Sequence, residues 1–350
     1  MPASIAHTQL PLEQPYSEIV DVRSPSEFAE DHLPNAINLP VLNDSQRVEV
    51  GTLYKQADPM TAQKVGAALV CENIGTHLRN HFADKDKNYR PLIYCWRGGQ
   101  RSRSLAVVLA EIGWQVTVIS GGYKAYRAYV SQQLETLPTQ FNYRVLCGPT
   151  GSGKTHILHQ LHKSGANVLD LEALANHRGS VLGQVWDRVA TPQPSQKSFE
   201  SNLLQSLQSY PPGSCLWVES ESNKIGNIYL PQSLWNEMKK SPGVAIELPL
   251  GDRIQWILRE YGHLTEHPQI LKGKLQRLKS LYGGQKFQQW EQMIDSGEFA
   301  TLIAELLEHH YDRSYRRSIH RCYPNVQQTL TLPDLSDASI NRLIDSLLER

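Results

Sequence analysis

Two short stretches hold residues whose types and spacing suit reaction chemistry. YCWRGGQRS, residues 94–102, sets Cys95 ahead of Arg97, Gly98, Gly99 and Arg101. CGPTGSGKT, residues 147–155, fits the pattern GxxxxGK[ST] with Gly148, Gly151, Gly153, Lys154 and Thr155. The first follows an apolar run and precedes a helical stretch, which puts the Cys95 sulfur on backbone N–H groups at a helix N-terminus. That position favours the thiolate. Bringing a free thiol close to neutrality takes about 2–3 kcal/mol of preferential stabilisation, which Arg97, Arg101 and the loop dipoles suffice to supply. Two chemistries stay open for Cys95: attack on phosphorus in a phosphatase, or chalcogen transfer through a persulfide or perselenide. The loop itself offers no general acid for a leaving group.

In the second stretch, glycines let backbone N–H groups wrap a phosphate chain at a helix N-terminus. Lys154 neutralises the outer phosphates and Thr155 offers a hydroxyl to Mg²⁺. Asp170 and Glu219, each at the end of an expected strand, are candidate metal-assisting acids. Arg178, Lys197 and Lys224 lie in the charged segments HRGS, QPSQKSFES and VESESNKIG as supporting phosphate contacts. The loop leaves ATP, GTP and another diphosphate ester equally open.

Both stretches need strands to hold them. Residues 17–24, 89–96 and 115–120 read as strands, and residues 103–113 as a helix stopped by Gly113, so strand, loop, helix and strand form a βαβ unit with a parallel sheet. A helix over 121–135 follows, and the polar residues 137–142 mark a boundary. Residues 143–148, 166–170, 214–220 and 243–250 read as strands of a second α/β unit. From about residue 252 the pattern turns helical. The expected organisation is a parallel-sheet domain over 1–137, a phosphate-loop domain over 138–310 and a C-terminal helical extension over 311–350.

Composition narrows the class. In 350 residues, 35 basic and 35 acidic side chains cancel, so a polyanion must meet local patches. Five cysteines, widely separated and without a CxxC pair, argue against both a disulfide framework and a structural zinc site. Cys71, Cys147 and Cys215 lie in apolar runs and read as core thiols. His156, His159, His162, His309 and His310 read as helix-face residues. The start lacks a basic, then apolar leader, and no run is long enough to span a bilayer, so a cytoplasmic location is expected.

IVDVRSPSEFAEDHLPNAINLP, residues 19–40, with Asp21 and Arg23, resembles the opening of a rhodanese domain, and Cys95 lies where such domains carry their nucleophile. The loop is one residue longer than the usual sulfurtransferase form, which suits a phosphate-sized substrate. CWRGGQRS, GGYKAYR, GPTGSGKT, HRGS and VESES in this order resemble the tRNA 2-selenouridine synthase family over nearly the whole chain. The resemblance implies conversion of wobble 2-thiouridine to 2-selenouridine. It also implies an S-geranyl intermediate made from geranyl diphosphate, selenophosphate as donor, and Cys95 carrying selenium as a perselenide. On this reading the phosphate loop holds geranyl diphosphate with Mg²⁺ at Thr155. Partners implied are tRNA and an enzyme that produces selenophosphate, with no membrane.

A neutral chain that holds tRNA needs concentrated positive charge. Residues 271–286 carry Lys272, Lys274, Arg277 and Lys279 without an acid, and residues 314–323 carry Arg316 and Arg317 beside tyrosines. Tyr123, Tyr126, Tyr129, Lys124 and Arg127 form a helical stripe read as interdomain packing first and RNA stacking second. The alternatives are a rhodanese-type sulfurtransferase or phosphatase fused to a P-loop kinase, and a nucleotide-regulated sulfur or selenium carrier.

Overall fold

The computed structural model describes residues 5–56, 58–178, 192–260 and 262–348. Residues 179 and 180 of the HRGS segment and the last two residues of the chain lie outside the described residues. The chain divides into two compact units, one of residues up to 133 with 195–205, the other of 134–194 with 206 onward.

The first unit is built on a five-stranded sheet. Its strands are β1 (Ala6–Thr8), β2 (Glu18–Asp21), β3 (Ala36–Asn38), β4 (Pro91–Tyr94) and β5 (Thr117–Ile119). They lie in the order β1-β5-β4-β2-β3, and every pairing is parallel. The central strand β4 is buried at all four positions, as its unbroken apolar run requires when helices cover both faces. The helix Gln100–Ile112 buries Leu105, Ala106, Leu109 and Ala110, and Gly113 ends it in the left-handed conformation at φ 110°. Each fully buried aliphatic side chain of this core contributes about 1.5–3 kcal/mol. β1 and β3 escape the sequence reading because neither has a buried position, whereas the equally short β5 is buried at all three and sits in an apolar run.

The second sheet contains β6 (Asn142–Cys147), β7 (Asn167–Leu169), β8 (Cys215–Glu219), a short antiparallel pair β9 (Lys224–Ile225) and β10 (Ile228–Tyr229) set apart from it, then β11 (Gly243–Glu247) and β12 (Val326–Thr331). Its order is β12-β11-β6-β8-β7, again parallel throughout. β12 corrects the expectation of a purely helical tail. Its residues alternate between half-buried and exposed, as an edge strand does, and its apolar content is too low to announce a strand. The following helix Asp337–Leu348 buries Ile340, Leu343, Ile344 and Leu347 in the same core as Ile157, Leu158 and Leu161 of the helix Lys154–Lys163. A helical layer over residues 268–322 has its own core, centred on Trp290 with Leu275, Leu278 and Phe287. The fold is thus α/β, with two parallel sheets and a helical C-terminal part. Among the described residues, no helix is long and apolar enough to cross a membrane.

Candidate functional site

Each sheet projects one loop from the end of its central strand. In the first, Cys95 leaves β4 and is only 3% exposed. The chain then turns tightly: Gly98 adopts φ 68°, and the neighbouring Gly122 adopts φ 57°. A Cβ on Gly122 would lie 2.3 Å from the Cys95 carbonyl oxygen and 2.6 Å from the Gly98 nitrogen, so only glycine fits there. The Tyr123 N–H donates to the Cys95 carbonyl at 2.8 Å and pins the loop from behind.

The sulfur sits among donors. The Gly99 N–H donates to Sγ at 3.3 Å, and the Ser102 hydroxyl lies 3.3 Å from it. Burial opposes ionisation, yet the Ser102 hydroxyl and the N–H groups of Ser102, Arg97 and Gly99 bring the thiol below its ordinary range. Arg101, expected to hold an anion, is committed elsewhere. Its guanidinium donates to Glu27 at 2.6 and 3.3 Å, and this pairing holds the Glu27 carboxyl down against the opposing effect of burial. Backbone N–H groups are thus the donors that the loop turns toward the sulfur, with Arg97 exposed beside them.

Beneath the loop lies a buried network. Arg23 donates to both oxygens of Asp21 and to the Asp31 carbonyl, and its guanidinium stacks 3.8 Å from the Tyr123 ring centroid. Tyr123 and Ser201 both donate to the Asp31 carboxylate, at 2.9 and 3.1 Å. Arg127 pairs with Glu200 and donates to the Lys197 carbonyl. The tyrosine stripe therefore packs against residues 195–205 inside its own unit: Tyr123 and Tyr126 are 1% and 4% exposed. Lys197 pairs with Glu30 of the same unit rather than serving the phosphate loop.

In the second unit, residues 148–153 wrap the space ahead of the helix Lys154–Lys163, with Gly151 and Gly153 in the left-handed conformation. Lys154 Nζ donates to the Gly148 carbonyl at 2.9 Å, across the mouth where an anion would sit. Thr155 donates to Glu172 Oε2 at 3.2 Å. Glu172, Glu219 and Glu221 bring carboxylate oxygens within 4.8 Å of one another. Burial pushes all three carboxyls up and neighbouring carboxylates add to it at Glu172 and Glu219, with Lys154 pulling the other way. Glu219 Oε1 is buried without a hydrogen-bond partner.

These groups fit a divalent cation: three carboxylates, one with an orphaned oxygen, beside a threonine hydroxyl. Of the two expected acids, Glu219 belongs to this cluster and Asp170 does not. Asp170 caps the helix Leu171–Ala175 through the Ala173 N–H and pairs with His159 at 2.7 Å. Sequence reasoning missed Glu172 and Glu221, although both lie within two residues of a candidate. The i+2 alternation in VESES was the available signal for Glu221.

The cluster opens into a cavity of about 630 Å³ whose walls include Trp256, Ile257, Tyr311 and Tyr315. Arg259 stacks 4.4 Å from the Trp256 ring centroid, and the His156 ring lies tilted against that ring at 5.1 Å between centroids. Arg178 lines the cavity and pairs with Glu260, whereas Lys224 stacks on Tyr229 and is not among its lining residues. Arg253, unnoticed in the sequence, is 5% exposed and donates to the Thr150 carbonyl of the loop and to both oxygens of Asp312.

The basic segment over 271–286 is largely spent on its own layer. Lys272 pairs with Asp295, Lys279 stacks on Phe287, and Lys286 pairs with Glu305. Lys274 and Arg277 lie close enough that the Arg277 charge adds to burial in lowering the Lys274 ammonium. Arg316 and Arg317 are exposed on the helix Asp312–Cys322. Cys71 and Cys215 are exposed, not core, because one lies on the outer side of a long helix and the other at the first position of β8.

Two family descriptions match the chain: a rhodanese-like domain over residues 6–129, and the tRNA 2-selenouridine synthase AAA domain over residues 141–330. Among curated proteins, the tRNA 2-selenouridine synthase of Sulfurovum sp. is 35% identical, covering 87% of this chain and 89% of that protein. Those of Bdellovibrio bacteriovorus and Nitrosomonas europaea are 33% and 31% identical, covering 88% and 89% of this chain and 90% and 93% of theirs.

Proposed function

Because the chain belongs to the tRNA 2-selenouridine synthase family, we propose that it converts 2-thiouridine in tRNA to 2-selenouridine, at the wobble position, in two stages handled by two sites. The observation that carries this reading is the pairing, in one chain, of a donor-wrapped thiol at Cys95 with a diphosphate-type loop that opens into an aromatic cavity.

The first stage belongs to the phosphate loop. The thiouridine sulfur attacks C1 of geranyl diphosphate, the C1–O bond breaks, and diphosphate departs with the electron pair. Lys154 and the loop N–H groups take up the departing charge. Thr155, Glu172, Glu219 and Glu221 would hold Mg²⁺, which supplies further neutralisation of the diphosphate when bound. Trp256, Ile257 and Tyr315 give the ten-carbon chain an apolar wall, which a nucleoside triphosphate would not need.

The second stage belongs to Cys95 and selenophosphate. Selenium replaces the alkylated sulfur at C2, and geranylthiolate leaves more readily than a bare thiocarbonyl sulfur. Electron counting separates two roles for the thiolate. Attack on selenium gives a Cys95 perselenide only if phosphorus keeps the P–Se electron pair, releasing phosphite. Attack on phosphorus gives cysteinyl phosphate and frees selenide without redox change, and water then releases phosphate. The second route balances at the oxidation level of the donor, so we assign it to Cys95 over the perselenide. A selenophosphate-producing enzyme would supply the donor.

Incubation with 2-thiouridine tRNA, geranyl diphosphate and selenophosphate, followed by mass spectrometry of nucleosides and phosphorus NMR, tests both stages. S-geranyl-2-thiouridine without selenophosphate, then 2-selenouridine and phosphate with it, are expected. Unchanged 2-thiouridine under every condition rejects the reading, and phosphite in place of phosphate restores the perselenide. ATP consumption without nucleoside change would favour the fused kinase.

A further inference from the structure

We propose that the helix Asp312–Cys322 carries a phosphate track for the RNA backbone, running to the rim of the diphosphate cavity. The inference rests on the reading of tRNA as substrate and says which surface holds it. Arg313, Arg317 and Arg321 recur every four residues, so they stand about 6 Å apart along one helix face. All three line a groove of about 610 Å³. The groove and the diphosphate cavity share His310, Ser314 and Ser318 in their walls, so the two adjoin along this helix. Arg316 is not among the groove's lining residues.

Charge makes the face unusual. Like charges at four-residue spacing cost a helix about 0.2–0.5 kcal/mol per pair, and a helix ordinarily relieves this with carboxylates one turn away. Here the Arg317 Nε donates to the Arg313 carbonyl, and among the described residues no carboxylate lies within ion-pair distance of Arg313, Arg317 or Arg321. The cationic segment over 271–286, in contrast, has already consumed Lys272 and Lys286 on Asp295 and Glu305. A row left uncompensated in this way is complementary to a polyanion.

The helix is also locked to the chemistry. Arg253 grips both oxygens of Asp312, the first residue of the helix, at 3.0 and 2.6 Å, and the Thr150 carbonyl of the phosphate loop at 2.9 Å. One buried side chain therefore fixes the register between the arginine row and the bound diphosphate. A backbone held on that row presents its base next to the cavity in which the sulfur must be alkylated. An acidic protein partner would match the charge but gives no reason for this registration.

The test uses the full chain with Arg313→Ala, Arg317→Ala and Arg321→Ala combined, measuring 2-thiouridine tRNA binding across a potassium chloride series. A control removes the same charge from three exposed lysines of the first unit, Lys55, Lys64 and Lys87, by alanine. The arginine variant is expected to bind at least tenfold more weakly near 0.1 M salt, with the salt slope shallower by about 2–3, while the control matches the parent. Unchanged affinity for inorganic diphosphate shows that the loop remains folded. Parent-like tRNA binding by the arginine variant, or equal losses in both variants, overturns the proposal, and the former leaves an acidic protein as the partner to seek. A parent chain that binds no tRNA overturns the functional reading itself, an outcome distinct from the other two.

Discussion

Cys95 and Cys147 occupy the same station in two different sheets. Each stands at the C-terminal end of the central strand of a five-stranded parallel sheet, immediately before a glycine loop and a helix. Each is buried. Their thiols nevertheless move in opposite directions: Cys95 is lowered by the Ser102 hydroxyl and loop N–H groups that outweigh its burial, whereas burial pushes Cys147 up to about 11. Cys147 Sγ donates to the Val145 carbonyl at 3.7 Å, which favours the protonated form, and the Ser220 side chain and the Lys154 charge do not offset its burial. The comparison teaches that neither burial nor position at a strand end makes a cysteine reactive. The direction of the surrounding donors does. In the first loop they converge on the sulfur; in the second they converge on open space, and Lys154 with three carboxylates stands where a ligand and its cation belong.

The sharpest way to break this contrast is to remove the reacting group from each loop. Cys95→Ser is expected to abolish selenium incorporation while geranylation of 2-thiouridine tRNA continues. Lys154→Ala is expected to reduce geranylation by about 10²–10³-fold, the usual cost of deleting a preorganised group that meets developing charge. With pre-geranylated tRNA supplied, the Lys154 variant should recover selenium incorporation. Nucleoside mass spectrometry reads all three. Loss of both stages in either variant would collapse the division of labour between the loops.

A smaller effect sharpens the electrostatic side. Glu172, Glu219 and Glu221 have carboxyls raised by burial, at the first two with help from neighbouring carboxylates, so the folded state holds protons that the unfolded chain releases near pH 4.5. Their stabilising contribution is complete below that pH and is lost as pH rises through the elevated folded values. Thermal stability without Mg²⁺ should therefore fall toward alkaline pH, and the gain on adding Mg²⁺ should grow in the same direction, because the cation binds the deprotonated cluster. Glu219→Gln should lower Mg²⁺ affinity at least tenfold and flatten the pH dependence of that gain. A Mg²⁺ effect that is equal at pH 6 and pH 9, read by thermal melting, would separate the cluster from cation binding.

Much of this site is legible in the sequence. GPTGSGKT and the cysteine loop are local: their glycines, lysine and thiol work through backbone geometry set within ten residues. What escapes is whatever depends on distant chain. Glu27 neutralises Arg101 across 74 residues, and Glu172 and Glu221 meet only after two strands of the second sheet align. Arg253 reads in sequence as one more charge on a helical stretch, yet it ties Thr150 to Asp312. β12 is invisible for a related reason: an edge strand with one half-buried face needs few apolar residues, and its partner β11 lies about 80 residues earlier.

The mildest changes test whether donor direction alone separates the two cysteines. Ser102 is fully buried, and its single hydroxyl hydrogen can turn either to the Gly99 carbonyl at 3.1 Å, when the thiol is protonated, or to the Cys95 sulfur at 3.3 Å, when the thiol ionises. Ser102→Ala removes that hydroxyl and leaves the loop N–H groups in place. A hydrogen bond to a charged group contributes about 1.5–3 kcal/mol, so alkylation of Cys95 by iodoacetamide should slow by about tenfold or more at neutral pH, its pH profile moving upward. Cys147→Ala should leave the alkylation rate at Cys95 and both stages of the reaction unchanged, at a cost of about 1 kcal/mol in stability from lost packing. Mass mapping of labelled peptides follows each thiol separately. If Cys147 in the parent labels as fast as Cys95, donor direction is not what distinguishes the loops; if Ser102→Ala leaves the Cys95 profile in place, the N–H groups alone hold the thiolate.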